Sequence, residues 1–215
     1  MTPTPNIRCI VSMPFEENTY VVWRSDRTDC VVIDPGLEPD LILDFLHQSG
    51  LVPAAILNTH GHGDHIAGNE ALKDAYPSAP LIIGANETPL LSNPHLNMSA
   101  PFGWSVVSPP ADQTVREGDV IEAAGLRFEV LDVPGHSPGH VVYVLRTQPV
   151  RVFGGDVLFQ GSVGRYDFPG SDGRLLAHGI RTKLYTLPDD AIVYPGHGPT
   201  TTIGHEKRTN PFVQG

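Results

Sequence analysis

Short hydrophobic runs near the start of the chain predict three strands. Residues 7–11, 19–23 and 30–33 are apolar, β-branched or aromatic, and the third run ends in Asp34-Pro35-Gly36, a turn signal. Their spacing of roughly eight to twelve residues is typical of consecutive paired strands and predicts an antiparallel meander.

Further along the chain, helical periods alternate with short apolar runs. Pro39 opens a helix that stops at Gly50, and two more helices are predicted at 65–76 and 172–186. The remaining predicted strands cover 54–57, 81–83, 119–122, 126–130, 141–146, 150–153 and 192–194. Residues 84–112 are rich in proline and predict a long surface loop with a short helix near 87–91, which could serve as a binding segment or a lid.

The clustering of strands between helices favours one α/β (α+β) domain over 1–215, built as a layered sandwich. A doubly wound parallel sheet would alternate strands and helices more regularly. Neither a linker nor a repeat of 20–50 residues interrupts the sequence, so a second domain is not expected.

Composition and charge indicate which kinds of binding partner and which location to expect. The chain has 14 Lys and Arg against 24 Asp and Glu, a net charge of −10, which argues against nucleic-acid binding. No apolar run approaches the ~20 residues of a membrane span. Residues 1–6 lack the basic and apolar regions of a signal peptide, and the two cysteines, Cys9 and Cys30, have no C-x-x-C spacing. These features predict a cytoplasmic protein.

The most informative segment is Thr59-His60-Gly61-His62-Gly63-Asp64-His65, which lies between a predicted buried strand and a helix. Alternate residues of an extended chain point the same way, so His60 and His62 can converge. The two glycines allow a tight bend that brings Asp64 and His65 toward them. Imidazole and carboxylate ligands suit zinc, with iron or manganese as alternatives.

Three later residues repeat one construction, in which a ligand-type side chain follows a predicted strand and a turn. They are His136, Asp156 and His197. Taken singly, a histidine at a strand end is more often a surface residue, and Asp64 could be only a helix cap. Together, seven candidate ligands exceed the four that one tetrahedral zinc uses, so the pattern predicts two divalent metal ions close together.

With these motifs in place, the sequence resembles the metallo-β-lactamase-fold hydrolases over nearly its whole length. Within them it is most similar to the glyoxalase II (hydroxyacylglutathione hydrolase) group, in the short bacterial form without the C-terminal helical domain. The resemblance implies a four-layer αβ/βα sandwich. It also implies one metal bound by His60, His62 and His136, a second bound by Asp64, His65 and His197, and Asp156 bridging the two.

This resemblance implies a thioesterase acting on a small molecule such as S-lactoylglutathione. The expected nucleophile is metal-bound hydroxide beside Asp64, since two cations lower the pKa of a shared water. In that group, a basic residue in the loop after the bridging aspartate contacts the glutathione carboxylate. Arg165 matches that position, and Tyr166 could assist it. Lys207 and Arg208 could add basic groups, or they could form an exposed charged turn.

Other readings remain open. Gly164-Arg165-Tyr166-Asp167-Phe168 is similar to a stretch of persulfide dioxygenases, which use one iron, although Asp64, His65 and His197 would then be idle. A lactonase or phosphodiesterase could use the same ligands. A purely structural metal site is disfavoured, because structural sites are closed and tight. His140 is expected to support a ligand by a hydrogen bond or to be buried in a strand, and Asp34 to accept a hydrogen bond from a ligating histidine or to cap the turn.

Overall fold

The computed structural model describes residues 4–215 and forms two six-stranded sheets. The absence of a signal peptide predicted from the first six residues rests partly on residues 1–3, which lie outside the described residues. The strands of the first sheet are, in order, β1 (Asn6–Ser12), β2 (Glu17–Trp23), β3 (Asp29–Ile33), β4 (Val52–Asn58), β5 (Leu81–Gly84) and β6 (Gln113–Val115). β1, β2 and β3 form the predicted antiparallel meander, and β3 to β6 pair in parallel.

The second sheet contains most of the remaining strands. They are β7 (Val120–Ala123), β8 (Leu126–Asp132), β9 (Val141–Leu145), β10 (Arg151–Gly155), β13 (Ile192–Pro195) and β14 (Thr201–Thr202). Between β10 and β13 the chain forms a small separate hairpin of β11 (Leu158–Phe159) and β12 (Ser162–Val163). The strands of the second sheet lie in the order β14-β13-β10-β9-β8-β7. Only β10 and β13 run parallel in this sheet.

Helices cover the outer faces of both sheets. They are α1 (Pro39–Ser49), α2 (Gly63–Ile66), α3 (Asn69–Ala75), α4 (Thr88–Leu91), α5 (Gly173–Gly179) and α6 (Ile203–Thr209). Single turns of 3₁₀-helix occupy Ala85–Glu87 and Ala100–Phe102, and a π-helical turn, Ile180–Leu184, extends α5. Among residues 4–215, no helix is long and apolar enough to cross a membrane.

Three apolar clusters explain why these elements form four layers. The inner cluster joins the facing sides of the two sheets, with Leu57 from the first and Phe128, Tyr143 and Phe153 from the second. Two outer clusters attach α1 and α3 to the first sheet and α5, the π-helical turn and α6 to the second. The predicted four-layer αβ/βα sandwich is therefore confirmed.

The structure departs from the predicted elements in two places that matter for the site. The helix predicted at 65–76 is two helices, α2 and α3, because the chain turns at Gly68, whose N–H donates to the Pro35 carbonyl at 2.8 Å. A Cβ at Gly68 would lie 3.0 Å from that same carbonyl oxygen. The predicted loop at 84–112 packs in an ordered way, because the Asn97 amide donates to the Leu90 and Val106 carbonyls at 3.1 and 2.9 Å.

Candidate dinuclear metal centre

All seven predicted ligands meet at one edge of the sandwich. His60 follows β4 after one residue, and His62, Asp64 and His65 occupy the turn into α2 and its first residues. The other three follow strands of the second sheet: His136 follows β8, Asp156 follows β10 and His197 follows β13. The site is therefore assembled from both sheets, with each ligand placed by the carboxyl end of a strand.

The first group of ligand atoms belongs to His60, His62 and His136. These three side chains are buried, and their candidate ligand atoms lie within 4.8 Å of one another. His136 Nε2 and His62 Nδ1 are 2.9 Å apart. Two nitrogens bound to one tetrahedral zinc would be about 3.3 Å apart, given Zn–N bonds of about 2.05 Å. The spacing therefore suits a single shared cation.

The second group consists of Asp64, His65 and His197. His197 Nε2 lies 3.3 Å from both His65 Nε2 and Asp64 Oδ2. Asp156 faces both groups, because its Oδ1 is 3.5 Å from His65 Nε2 and its Oδ2 is 3.5 Å from His136 Nε2. A carboxylate between two clusters of ligand atoms is the arrangement expected of a bridging ligand.

The outer nitrogen of several histidine rings is held by an acceptor, so the inner nitrogen keeps its lone pair. His136 Nδ1 donates to the Arg165 carbonyl at 2.8 Å, and His197 Nδ1 donates to the Phe15 carbonyl at 2.9 Å. His65 Nδ1 lies 3.2 Å from Asp34 Oδ2. His60 Nε2 and Asp156 Oδ1 are buried and have no hydrogen-bond partner among residues 4–215. Buried acceptors without donors fit bound cations, because such groups are otherwise satisfied.

Electrostatics distinguishes the two groups. Burial lowers the pKa of His62 to about 3 and that of His136 to about 4, so both rings are neutral at pH 7 and can act as ligands. Burial opposes ionisation of Asp64, but the charge of His65 and a hydrogen bond from His197 hold the pKa of this carboxyl below its usual range. Burial also opposes the charge on His65, yet Asp64 and Asp156 raise its pKa well above the ordinary value. The second group therefore favours positive charge at its centre.

The ligand edge opens into a cavity of about 380 Å³. One wall carries Phe15, Phe102 and Trp104, whose rings pack edge to face with centroids 5.0 and 5.1 Å apart. Arg165 and Phe168 also line the cavity, and the guanidinium of Arg165 lies 4.3 Å from the centre of the Phe168 ring. The cavity is thus lined by an aromatic wall, by the positively charged guanidinium of Arg165 and by the candidate ligand residues.

Comparison with known proteins identifies the family. The sequence profile of the Metallo-beta-lactamase superfamily matches residues 13–197. The chain belongs to the metallo-β-lactamase superfamily. Hydroxyacylglutathione hydrolase GloC of Haemophilus influenzae is 38% identical over 211 residues, which cover 97% of this chain and 98% of GloC.

Solved structures of other superfamily members show the same fold. BLEG-1 B3 metallo-beta-lactamase superposes with a TM-score of 0.93 at 38% identity, covering 98% of this chain and 100% of that one. TTHA1623 in a di-iron-bound form gives 0.85 at 40% identity, covering 96% and 100%. ETHE1 from Myxococcus xanthus gives 0.80 at 30% identity, covering 96% and 83%. All three structures therefore have the same fold as this chain, although they carry different names.

Some of the residues that hold the candidate ligands or their loops by hydrogen bonds are those that the sequence predicts. His140 Nε2 accepts the Asp156 N–H at 3.1 Å, and Asp34 accepts hydrogen bonds from Thr59 N–H and Thr59 Oγ1, both at 2.7 Å. Two supports were missed. Asn18 donates from Nδ2 to the Pro195 and Gly198 carbonyls, and buried Glu87 contacts two ligand loops. Neither residue lies near a ligand in sequence, so no local pattern signals it.

The predicted substrate-binding residues do not all reach the cavity. Arg165 lines it, although its guanidinium also pairs with Asp167 at 2.9 Å. Tyr166 lines a different cavity, where its ring lies against Gly173. Lys207 donates to the Tyr185 carbonyl at 3.1 Å, and Arg208 lies 3.6 Å from Asp189. Tyr166, Lys207 and Arg208 are therefore not placed with the ligands, and the alternative of an exposed charged surface fits the last two better.

Proposed function

We propose that the protein is a metal-dependent thioesterase that hydrolyses a glutathione thioester such as S-lactoylglutathione. The observation that carries this proposal is the pair of three-residue candidate ligand groups, both facing the carboxylate of Asp156. They lie at the floor of a cavity that is also lined by the guanidinium of Arg165. The similarity to GloC along nearly its whole length supports this choice of substrate. A cytoplasmic location belongs to the same proposal, because glutathione keeps that compartment reduced.

In this proposal His60, His62 and His136 hold one divalent ion, and Asp64, His65 and His197 hold the other, with zinc the first choice and iron or manganese as alternatives. Asp156 contributes to both. Two divalent ions held there would lower the pKa of a bound water and polarise a carbonyl oxygen. Asp64 lines the cavity as an ionised carboxylate, and we assign it the catalytic role beside the nucleophile; because the pKa of this carboxyl is held low, it would orient the water by accepting a hydrogen bond and not by taking up its proton.

The remaining residues of the cavity orient the substrate. Arg165 supplies the only Lys or Arg side chain of the cavity among residues 4–215, and a carboxylate of the thiol portion is its natural partner. The aromatic wall of Phe15, Phe102 and Trp104 offers apolar surface to the acyl portion. Because a thiolate is a good leaving group, the reaction does not need a strong general acid near the sulfur.

The test combines metal analysis with a thioester assay. Protein purified without added metal is reconstituted with Zn²⁺, Fe²⁺ or Mn²⁺, and release of glutathione from S-lactoylglutathione is followed with a thiol reagent. We expect two metal ions per chain and metal-dependent release of thiol. Asp156→Ala should lose metal and activity together. Protein that holds two metals but releases no thiol from glutathione thioesters would refute the proposed substrate.

A second candidate, a persulfide dioxygenase, is favoured by one observation: the stretch Gly164-Arg165-Tyr166-Asp167-Phe168 resembles one found in that class of enzyme. The second ligand group weighs against it, because Asp64, His65 and His197 converge although a single iron would leave them idle. One iron per chain, together with oxygen consumption on glutathione persulfide, would decide for this candidate.

A further inference from the structure

Glu87 is buried beside the first ligand group and joins the two loops that carry it. Its side chain is 0% exposed, although it lies in a segment that the sequence predicts to be a surface loop. Oε2 accepts the N–H of Gly61 at 2.8 Å, and Oε1 accepts the N–H of Gly139 at 2.5 Å. Gly61 lies between His60 and His62, and Gly139 lies three residues after His136. One carboxylate therefore contacts both loops from which the first group is built.

Close packing makes this contact specific. A Cβ at Gly61 would lie 2.6 Å from the Leu90 Cβ, and a Cβ at Gly139 would lie 2.5 Å from the Asn86 Cβ. Both loops therefore press against the short segment that carries Glu87, and neither can shift toward it. Because each oxygen accepts from a different loop, the carboxylate fixes the distance between the two loops.

No hydrogen bond or ion pair joins the Glu87 side chain to Asp64, His65 or His197. His65 is held by Asp34, and His197 is held by the Phe15 carbonyl. We infer that Glu87 is a positioning residue for the first metal site alone, setting the separation of His62 and His136 through the backbone N–H groups of Gly61 and Gly139. This inference rests on the proposed pair of metal sites but not on the proposed thioester substrate.

The test is Glu87→Gln, which keeps the size of the side chain but replaces one accepting oxygen by an NH₂ group. That group would face a backbone N–H, so one of the two loops loses its acceptor. The matched control is Glu206→Gln. Glu206 is equally buried and accepts hydrogen bonds from Gly161 N–H and Asn210 Nδ2, both at 2.9 Å, but it contacts neither loop of the first group.

Each protein is loaded with Co²⁺ and titrated with a chelator while bound metal and the visible absorption of the ion are recorded. For Glu87→Gln we expect one of two ions to bind roughly 10- to 100-fold more weakly, as is usual when a group supporting a ligand is removed, and the other to bind as in the wild type. The one-metal form should have the absorption spectrum of a His62→Ala protein and not that of His197→Ala. Glu206→Gln should keep two wild-type affinities even if its melting temperature falls.

Equal metal affinities in Glu87→Gln and wild type would overturn the inference. Parallel weakening of both ions would do the same, as would a one-metal spectrum that matches His197→Ala. If Glu87→Gln fails to fold, Glu87→Asp replaces it, because it keeps both oxygens but shortens their reach. It should weaken the same ion, and unchanged affinity would again refute the role. Thiol release is not used, so a failed thioesterase assay leaves this result interpretable.

Discussion

Asp34→Asn should weaken the second metal site by changing the protonated nitrogen of His65. Asp34 is buried, and its Oδ2 accepts from Thr59 Oγ1 at 2.7 Å and from His65 Nδ1 at 3.2 Å. Asp34 has a φ of 49°, a conformation that asparagine adopts more easily than most residues, so the substitution adds little backbone strain. Its effect should therefore come from the exchange of an oxygen for an NH₂ group.

The magnitude follows from what that NH₂ group faces. It can donate to His65 Nδ1 only if the ring carries its proton on Nε2, and Nε2 is the atom that points at His197 and Asp64. A proton there competes directly with a metal ion. Keeping the original tautomer instead loses a hydrogen bond to a charged group, worth about 1.5–3 kcal/mol. Either way the second ion should bind roughly 10- to 100-fold more weakly, or about 1.4–2.7 kcal/mol.

The measurement is a chelator titration of the metal-loaded protein, with ¹⁵N NMR of the imidazole nitrogens of the metal-free protein, recorded at a pH high enough for the His65 ring to be neutral, to identify the tautomer. Asp112→Asn is the control, since Asp112 Oδ2 also accepts from a backbone N–H, that of Leu81 at 2.7 Å, but contacts no ligand. Two ions bound as tightly in Asp34→Asn as in wild type, with Nδ1 of His65 still protonated, would refute this reasoning.

Three further outcomes are expected. Metal-free protein should lose thermal stability as the pH falls from about 6.5 to about 4, because burial lowers the pKa of four histidines (His60, His62, His136 and His140). These histidines outnumber the two buried carboxyls, Glu17 and Glu87, whose raised pKa values act in the opposite sense, and the raised pKa values of His65 and His197 affect stability only above about pH 6.5. A melting temperature that stays constant or increases as the pH is lowered over this range would contradict the prediction. Gly164→Ala should lower the free energy of unfolding by about 1–3 kcal/mol and reduce the metal content, because the new Cβ would overlap the Asp156 carbonyl oxygen. Gly154→Ala is the control and should change neither, because its Cβ would meet only Val193 at 3.6 Å. Arg165→Ala should raise KM for glutathione thioesters about tenfold with little change in kcat, and an unchanged KM would remove Arg165 from the substrate site.

The ligand cluster could be predicted from the sequence because each ligand directly follows a strand signal. A short apolar run, a turn residue and a histidine or aspartate are all local features, and the carboxyl ends of strands gather at an edge of their sheet. The bend at Gly68 was harder to predict, because apolar residues continue at helical spacing through it. What stops the helix is a contact with Pro35 and Gly36, which lie more than 30 positions away.

Residues that act through distant partners were missed or misplaced for the same reason. The sequence predicts that Glu87 begins a short helix within a mostly exposed, proline-rich segment, which gives no sign that its side chain is buried, and its partners Gly61 and Gly139 come from two other segments. The prediction that Tyr166 assists Arg165 in substrate binding rests only on their being neighbours in sequence, yet the two side chains line different cavities. Predicting either placement needs the packing of several loops at once, which periodicity and turn signals do not contain.

The candidate metal centre also lies where the two sheets are joined, so metal binding would be coupled to folding. Asn18 and Tyr20, on β2 of the first sheet, donate hydrogen bonds to the Pro195 carbonyl, next to the His197 loop of the second sheet. Glu87 joins the loop after β4 to the loop after β8 in the same way. Separating the sheets would therefore pull the ligands of both groups apart, so ions that bind only the folded chain oppose that separation. An ion present at a hundred times its Kd adds about 2.7 kcal/mol to the free energy of unfolding, which is a large fraction of the 5–15 kcal/mol typical of a domain.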